Sequence, residues 1–449
     1  MKLIKKRLSS TQMILMVFLM LILAGSLLLY LPISSATGKS VNYVDALFTA
    51  TTATCVTGLV TLPTVTSWSI FGQAVILVLI QIGGLGVITI ASGIMVMLGK
   101  RIGIDNRILI QDSFNLNSMS GIIKFIKKVI IGTFIIEGIG ALLYMTVFIP
   151  EFGIKGIWIS VFTSVSAFCN AGIDIISQNS LCDYTFNPII NLTTSLLIIL
   201  GGIGFVVWWD LVRIIRDKKH RHLRFLTLHS KIALSATAFL IVAGTVLFFV
   251  FEYNNPMTMQ NFSLTEKIEA SLFQSVTTRT AGFATIPQEN FTDSSAIVSL
   301  LLMFIGGSPV GTAGGIKTVT FVVLLVTAVS VIRNKGTVDI FNRRLSDKSI
   351  KKAMAVFVTS FVVMMTSTIL LSVVSGGDFL DIIYETVSAT ATVGLTRNFT
   401  STLDTAGKFI IIATMYFGRV GPISLAVAFN VRKSSKNIIS NPVEEISVG

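Results

Sequence analysis
Four times along this chain an aromatic residue opens a short Ser/Thr-rich stretch that closes on glycine: Phe48–Gly58, Phe162–Gly172, Phe273–Gly282 and Tyr384–Gly394. The closing glycines lie 114, 110 and 112 residues apart, and a large apolar residue follows each one: Leu59, Ile173, Phe283 and Leu395. A second echo, Gly83-Gly84, Gly201-Gly202, Gly306-Gly307 and the single Gly418, comes 24 to 30 residues later. Self-similarity at a fixed period marks a repeated structural unit. Any fold for this sequence has to give four related segments equivalent surroundings.

The surroundings are apolar. One long apolar run precedes each copy, at about 12–31, 124–149, 230–251 and 353–374, and a second follows, at about 70–98, 188–215, 295–332 and 406–431. Runs near 20 residues cross a bilayer as helix. Of 449 residues, 52% are hydrophobic and only 13% charged, about half the charge of an ordinary soluble domain. A single soluble core stops growing near ~250–300 residues, so a soluble enzyme is excluded, as is a disordered chain. The Ser/Thr-rich stretches are too short and too polar to span. They read as re-entrant hairpins, since irregular backbone is tolerated at membrane depth only when buried in protein. The expectation is an all-α integral membrane protein with four span–hairpin–span repeats, eight spans in all, around a pseudo-fourfold central pore. Its units cover residues 1–100, 101–216, 217–334 and 335–449, the last with a tail. Two spans per unit return the chain to its starting side, so the repeats run parallel.

Charge sets the topology. The chain carries 35 Lys+Arg against 22 Asp+Glu. Of the basic residues, 27 fall in segments 1–11, 100–128, 213–231, 333–352 and 432–436, which are the inter-repeat connections and both termini. The positive-inside rule makes all of these cytoplasmic, in a multi-pass protein of the cell membrane. The basic stretches lack interleaved aromatics for base stacking, so nucleic acid is not indicated. The partner that this charge pattern calls for is the lipid bilayer. His220 and His222 have no carboxylate support for a metal. Cys55, Cys169 and Cys182 make neither a disulfide framework nor a ligand cluster. The N-terminal run has no small-residue cleavage site and reads as an uncleaved first span.

A cation crossing a bilayer exchanges its water shell for oxygen ligands, and rings of backbone carbonyls supply them. That demands an extended chain of small or β-branched residues, with glycine where φ must be positive. Segments 54–58, 168–172, 278–282 and 390–394 have this composition. The short helix before each one points its negative C-terminal dipole toward the membrane centre, where a cation is favoured.

Val-Thr-Gly-Leu at 56–59, Cys-Asn-Ala-Gly at 169–172, Arg-Thr-Ala-Gly-Phe at 279–283 and Ala-Thr-Val-Gly-Leu at 391–395, set in this fourfold plan, resemble the Trk/Ktr/HKT superfamily of potassium transporters. Within it, the similarity is to the bacterial KtrB membrane subunits, and it covers essentially the whole chain. The resemblance implies a potassium-uptake subunit with channel-like permeation. Its ion would be held by the carbonyls of Val56, Thr57, Gly58, Asn170, Ala171, Gly172, Thr280, Ala281, Gly282, Thr392, Val393 and Gly394. It also implies potassium as the transported ion, sodium as an activator and no covalent cofactor. The implied partners are a second copy of the chain, as a homodimer, and a cytosolic ring of nucleotide-binding regulatory subunits of the RCK/KTN type. The basic loops and the Asn441–Gly449 tail are candidate docking surfaces for that ring. Sodium-selective plant relatives carry serine at the first filter position, where this chain has Gly58. No copy has the second glycine of tetrameric potassium channels.

Two features suggest a gate. Gly306-Gly-Ser-Pro-Val-Gly-Thr-Ala-Gly-Gly-Ile-Lys317 cannot continue a regular apolar helix. Nor is it a nucleotide-binding P-loop, because Ile316 separates Gly315 from Lys317 and no strand precedes it. The resemblance implies an intramembrane loop below the filter, with Gly311, Thr312, Gly314 and Gly315 as its moving part and Lys317 as its lower anchor. Arg419 lies in an apolar span, where a charge is functional by default. The resemblance implies that it protrudes under the filter, the alternative being an ion pair with Glu137. Arg279, inside the third filter segment, is expected to point behind it to Glu385 or Asp174. Asp45, Glu269 and Glu385 either concentrate cations at the mouth or are solvated. A competing function is cation-coupled secondary transport of another solute, which inverted repeats would favour and parallel ones do not. No paired-carboxylate, His/Cys or Ser/His constellation lies in the spans, so an enzyme is not expected.

Overall fold
The computed structural model describes residues 10–97, 121–217 and 223–421. His220, His222, the Asn441–Gly449 tail and much of the basic segments at 1–11, 100–128 and 432–436 lie outside them.

A long helix opens each quarter of the chain: α1 (Ser10–Tyr30), then, past α2 (Tyr43–Cys55), α3 (Ile70–Leu85) and α4 (Val87–Met97), α5 (Ile122–Phe152). After α6 (Lys155–Cys169), α7 (Pro188–Gly202) and α8 (Phe205–Arg216) comes the third long helix, α9 (Leu228–Glu252). The chain continues through α10 (Leu264–Thr277), α11 (Asp293–Phe304), α12 (Thr318–Ile332) and a two-stranded hairpin, β1 (Asp339–Ile340) with β2 (Arg343–Arg344). It ends with α13 (Asp347–Val374), the fourth long helix, then α14 (Phe379–Ala391) and α15 (Thr405–Val420). Among the described residues these four long helices, α1, α5, α9 and α13, are long and apolar enough to cross a membrane, or five spans with α7 and α8 taken as one bent pair. Their outward faces are bare hydrocarbon. Phe134, Ile139 and Leu142 on α5 and Phe239, Val242 and Val250 on α9 are each more than half exposed, an apolar surface of the kind that faces a membrane or another protein.

The sequence places an interruption only in the third of the second apolar runs. Instead α3 and α4 part at Gly86, α7 and α8 meet at 97° around Ile203 and Gly204, and α15 stops at Gly421. These three glycines share one backbone conformation, φ +86, +93 and +91° with ψ 131, 137 and 133°, which suits glycine alone. In the third run the break widens to residues 305–317, the segment whose composition forbids a helix.

The short helices α2, α6, α10 and α14 pack inside. The aromatic that opens each copy, Phe48, Phe162, Phe273 or Tyr384, is at most 1% exposed. Caps fix where several helices begin. Asn42 accepts from Val44 N at α2, Ser263 and Glu266 form a capping box at α10, and Asp404 accepts from Gly407 N at α15.

Candidate ion pathway
Three of the short helices, α2, α6 and α14, end directly on a left-handed cap, whereas α10 ends at Thr277 with a right-handed cap at Thr278. Two residues before each closing glycine the chain turns left-handed, at Val56 (φ 56°), Asn170 (φ 59°), Thr280 (φ 64°) and Thr392 (φ 50°). Three of these residues are β-branched, for which such a conformation is costly; it persists because the surroundings over-determine it. The hydroxyls of the Ser/Thr-rich stretches supply part of that constraint. Thr52 Oγ1 accepts from Gly58 N at 2.9 Å, Ser388 Oγ from Gly394 N at 3.0 Å and Ser166 Oγ from Ile173 N at 3.1 Å. Thr277 Oγ1 instead donates to Phe283 O at 2.6 Å. The helix-end hydroxyls thus bind the backbone of the extended strands, which explains their abundance in the sequence.

The structure brings Gly58, Gly172, Gly282 and Gly394 together, with φ +99, +64, +84 and +98°. A Cβ on Gly58 would stand 2.5 Å from Ala171 O, and one on Gly172 2.6 Å from Ala281 O. Cβ atoms on Gly282 and Gly394 would come closer still to Val393 O and Thr57 O. Each glycine is therefore backed by the carbonyl preceding the next copy's glycine, in a closed cycle first–second–third–fourth–first. Thr57, Ala171, Ala281 and Val393, one residue before the glycines, are all fully buried. Glycine is required at these positions twice over, by φ and by space.

The second echo of glycines explains itself here. A Cβ on Gly83, Gly201 or Gly418 would strike the carbonyl of Thr54, Phe168 or Thr390, each four residues before a closing glycine. These glycines let the second run touch the end of a short helix. Gly306 breaks the pattern, since its neighbour is Gly314 O of the irregular loop.

The loop of residues 305–317 passes beneath the glycine cycle. Its backbone is held from two sides: Ser308 N and Thr312 N donate to Gly202 O and Gly201 O at 2.8 and 3.1 Å, and Gly314 N donates to Thr280 Oγ1 at 3.0 Å. Thr312 Oγ1 donates to Phe168 O at 3.0 Å. Gly311 fits against Gly201 O, and Gly315 takes φ +66° against Gly306. Lys317 sits at the start of α12, and its Nζ donates to Ala313 O. Arg419, at the end of α15, donates to Thr312 O and Gly83 O, both at 2.6 Å. It ties the loop to the end of α3. A cavity of about 350 Å³ lies here, bordered by Gly84, Gly311, Ala313, Lys317, Thr390 and Arg419.

Several expected partners are replaced. Arg419 bonds carbonyls rather than Glu137, whose carboxylate accepts from Gln81 Nε2 at 3.2 Å. Arg279 reaches neither Glu385 nor Asp174. It is buried, and its Nη2 donates to Thr237 Oγ1 on α9 at 3.4 Å. Glu385, on α14, is fully buried and accepts from Thr396 and Thr400 hydroxyls at 2.7 and 2.6 Å, so it is neither solvated nor open to the mouth. Asp45 pairs with Lys408 at 2.6 Å, joining α2 to α15, and Glu269 accepts from Asn191 at 3.2 Å. Lys408 and the Gln274–Gln288–Tyr384 hydrogen bonds behind the strands gave no sequence signal, because their partners come from distant segments.

A chain with four long apolar helices, four buried segments whose glycines meet in a ring, and a loop packed against them has the architecture of a membrane transport protein. The sequence model of the TrkH family, described as a cation transport protein, matches residues 5–441. The chain belongs to that family, within the Trk/Ktr superfamily. It is 40% identical over its full length to the potassium/sodium uptake protein NtpJ of Enterococcus hirae, covering 99% of that protein. It is 39% identical to the Ktr system potassium uptake protein B of Bacillus subtilis, covering 99% of this chain and 97% of that one. The crystal structure of the potassium transporter TrkH from Vibrio parahaemolyticus superposes with a TM-score of 0.75 at 18% identity, over 96% of this chain and 87% of that one, so the two share a fold.

Proposed function
We propose that this chain is the potassium-translocating subunit of a Ktr-type uptake system, with four parallel span–hairpin–span repeats around one pore. The observation that carries the proposal is the closed cycle of four glycines, each seated against a carbonyl of the next repeat. Such a ring presents stacked backbone oxygens to an ion on its axis, the ligand set that a dehydrated cation requires. The filter is residues 54–58, 168–172, 278–282 and 390–394. The names of the relatives, a potassium uptake protein and a potassium/sodium uptake protein, support potassium as its ion; sodium we take to be an activator. Each short helix aims its C-terminal carbonyls below the ring, which favours a cation there. The loop of residues 305–317, held by Arg419, is the gate. The word system in the relatives' names supports a regulatory partner, which we take to be the cytosolic nucleotide-binding ring. It acts on a homodimer whose basic faces and termini are cytoplasmic.

Transport needs no pump. A membrane potential supplies about 2.3 kcal/mol per charge per 100 mV, and ~1.4 kcal/mol is tenfold in concentration, so ~150 mV sustains a gradient of a few hundredfold. The test is rubidium uptake into liposomes containing purified chain, competed by potassium and by sodium. Potassium-blocked rubidium uptake is expected; uptake of neither cation by folded protein rejects the proposal.

A further inference from the structure
The left-handed residue two before each glycine carries a buried side chain, and three of the four lie by the loop or by the backbone that holds it. Val56 Cγ2 lies against Gly83, and the Asn170 amide lies against Gly201 and Gly202, whose carbonyls hold the loop. Thr280 Oγ1 and Thr392 Oγ1 both reach Gly314, the first as acceptor of its N–H. All four side chains are at most 1% exposed. Three of the four carry an oxygen. Asn170 Oδ1, Asn170 Nδ2 and Thr392 Oγ1 have no hydrogen-bond partner among the described residues. Buried polar atoms left unpaired cost about 1–3 kcal/mol each, and two of these, Asn170 Oδ1 and Thr392 Oγ1, are acceptors that a cation would satisfy.

We propose that Asn170 Oδ1, Thr280 Oγ1 and Thr392 Oγ1 form an inner site for a dehydrated alkali cation, beneath the carbonyl ring, and that the Gly314 N–H occupies it when the loop is closed. The inference rests on the potassium-translocation reading above. An amide N–H carries partial positive charge and satisfies a hydroxyl oxygen as a cation does, so the two compete for Thr280. Cation binding at this site and withdrawal of the loop are then one linked equilibrium: whatever raises occupancy of the site frees the loop, and a free loop raises affinity for the ion. The site is lopsided, because Val56 contributes a methyl where the other repeats contribute oxygen.

The experiment is hydrogen–deuterium exchange of the peptide covering residues 305–317 in the full chain, titrated with potassium against choline. Potassium is expected to speed exchange of the loop amides. Thr392→Val removes one oxygen without touching the bond to Gly314, and Val56 demonstrates that valine fits this conformation. A ligand to a charge is worth roughly tenfold in affinity, so Thr392→Val should raise the potassium half-point about tenfold. Val56→Thr, which adds a fourth oxygen, should lower it. Loop exchange indifferent to potassium overturns the proposal, as does a half-point that neither variant moves. Rubidium flux through the unaltered chain separates the two ideas. Its absence rejects translocation itself, whereas normal flux with unmoved half-points rejects the inner site alone.

Discussion

Replacing Arg419 by alanine removes the clamp between the loop and α3. Two hydrogen bonds from a charged donor, both 2.6 Å, hold Thr312 O and Gly83 O. Each is worth about 1.5–3 kcal/mol net, which sets a ceiling near 6 kcal/mol. The freed carbonyls border a cavity of about 350 Å³ whose space for water puts the loss at the lower end of that range. About 3 kcal/mol remains, a shift of roughly 100-fold in the loop's closed-to-open ratio. The same substitution removes a fixed positive charge below the filter, which acts in the same direction. Rubidium uptake into proteoliposomes should therefore rise in Arg419→Ala, up to the limit set by a fully open pore. Arg419→Lys should fall between the two, since an ammonium lacks the planar fork that reaches both carbonyls. A correctly assembled Arg419→Ala protein with unchanged or lower flux would refute the clamp.

Gly394→Ala places a Cβ against Thr57 O in a φ +98° conformation; flux should drop at least ~10-fold and rubidium preference over sodium should narrow in competition assays. Lys408→Met leaves Asp45 unpaired at a largely buried contact and should lower stability by about 2–3 kcal/mol in thermal unfolding. Part of that loss should return when Asp45→Asn is added. Arg279→Met exchanges a buried guanidinium with one 3.4 Å hydrogen bond for an apolar chain, so thermal stability should stay within about 1 kcal/mol. A loss above ~3 kcal/mol would instead point to an anion bound beside it.

The sequence is legible where its physics repeats. Phe48, Phe162, Phe273 and Tyr384 mark the buried faces of four short helices because the same packing problem recurs, and the glycines mark positions where no Cβ fits. The loop was visible because five glycines and a proline exclude a helix. The breaks at Gly86 and Gly204 were not, since a lone glycine inside an apolar run costs only ~1 kcal/mol and reads as tolerated. The left-handed turn at Val56 runs against local preference and is imposed by tertiary contacts. Lys408 and Asp45 are 363 residues apart, and nothing local announces that pair. Arg279 was assigned an acidic partner because an isolated buried cation is costly, yet the carboxylates considered are engaged with hydroxyls and backbone.

Three of the four second-echo glycines nestle against a helix-end carbonyl, while in the third copy Gly306 meets the loop instead. An assembly of identical subunits has no such freedom, because whatever one subunit inserts beneath the axis the other three must insert as well. Four thirteen-residue loops would collide in a space that accommodates one. On the function proposed above, joining the quarters into a single polypeptide separates the duty of holding the ion from that of blocking it: all four quarters keep a glycine in the ring, and the third alone adds a shutter. Asymmetric control of this kind is available only after the subunits have been fused.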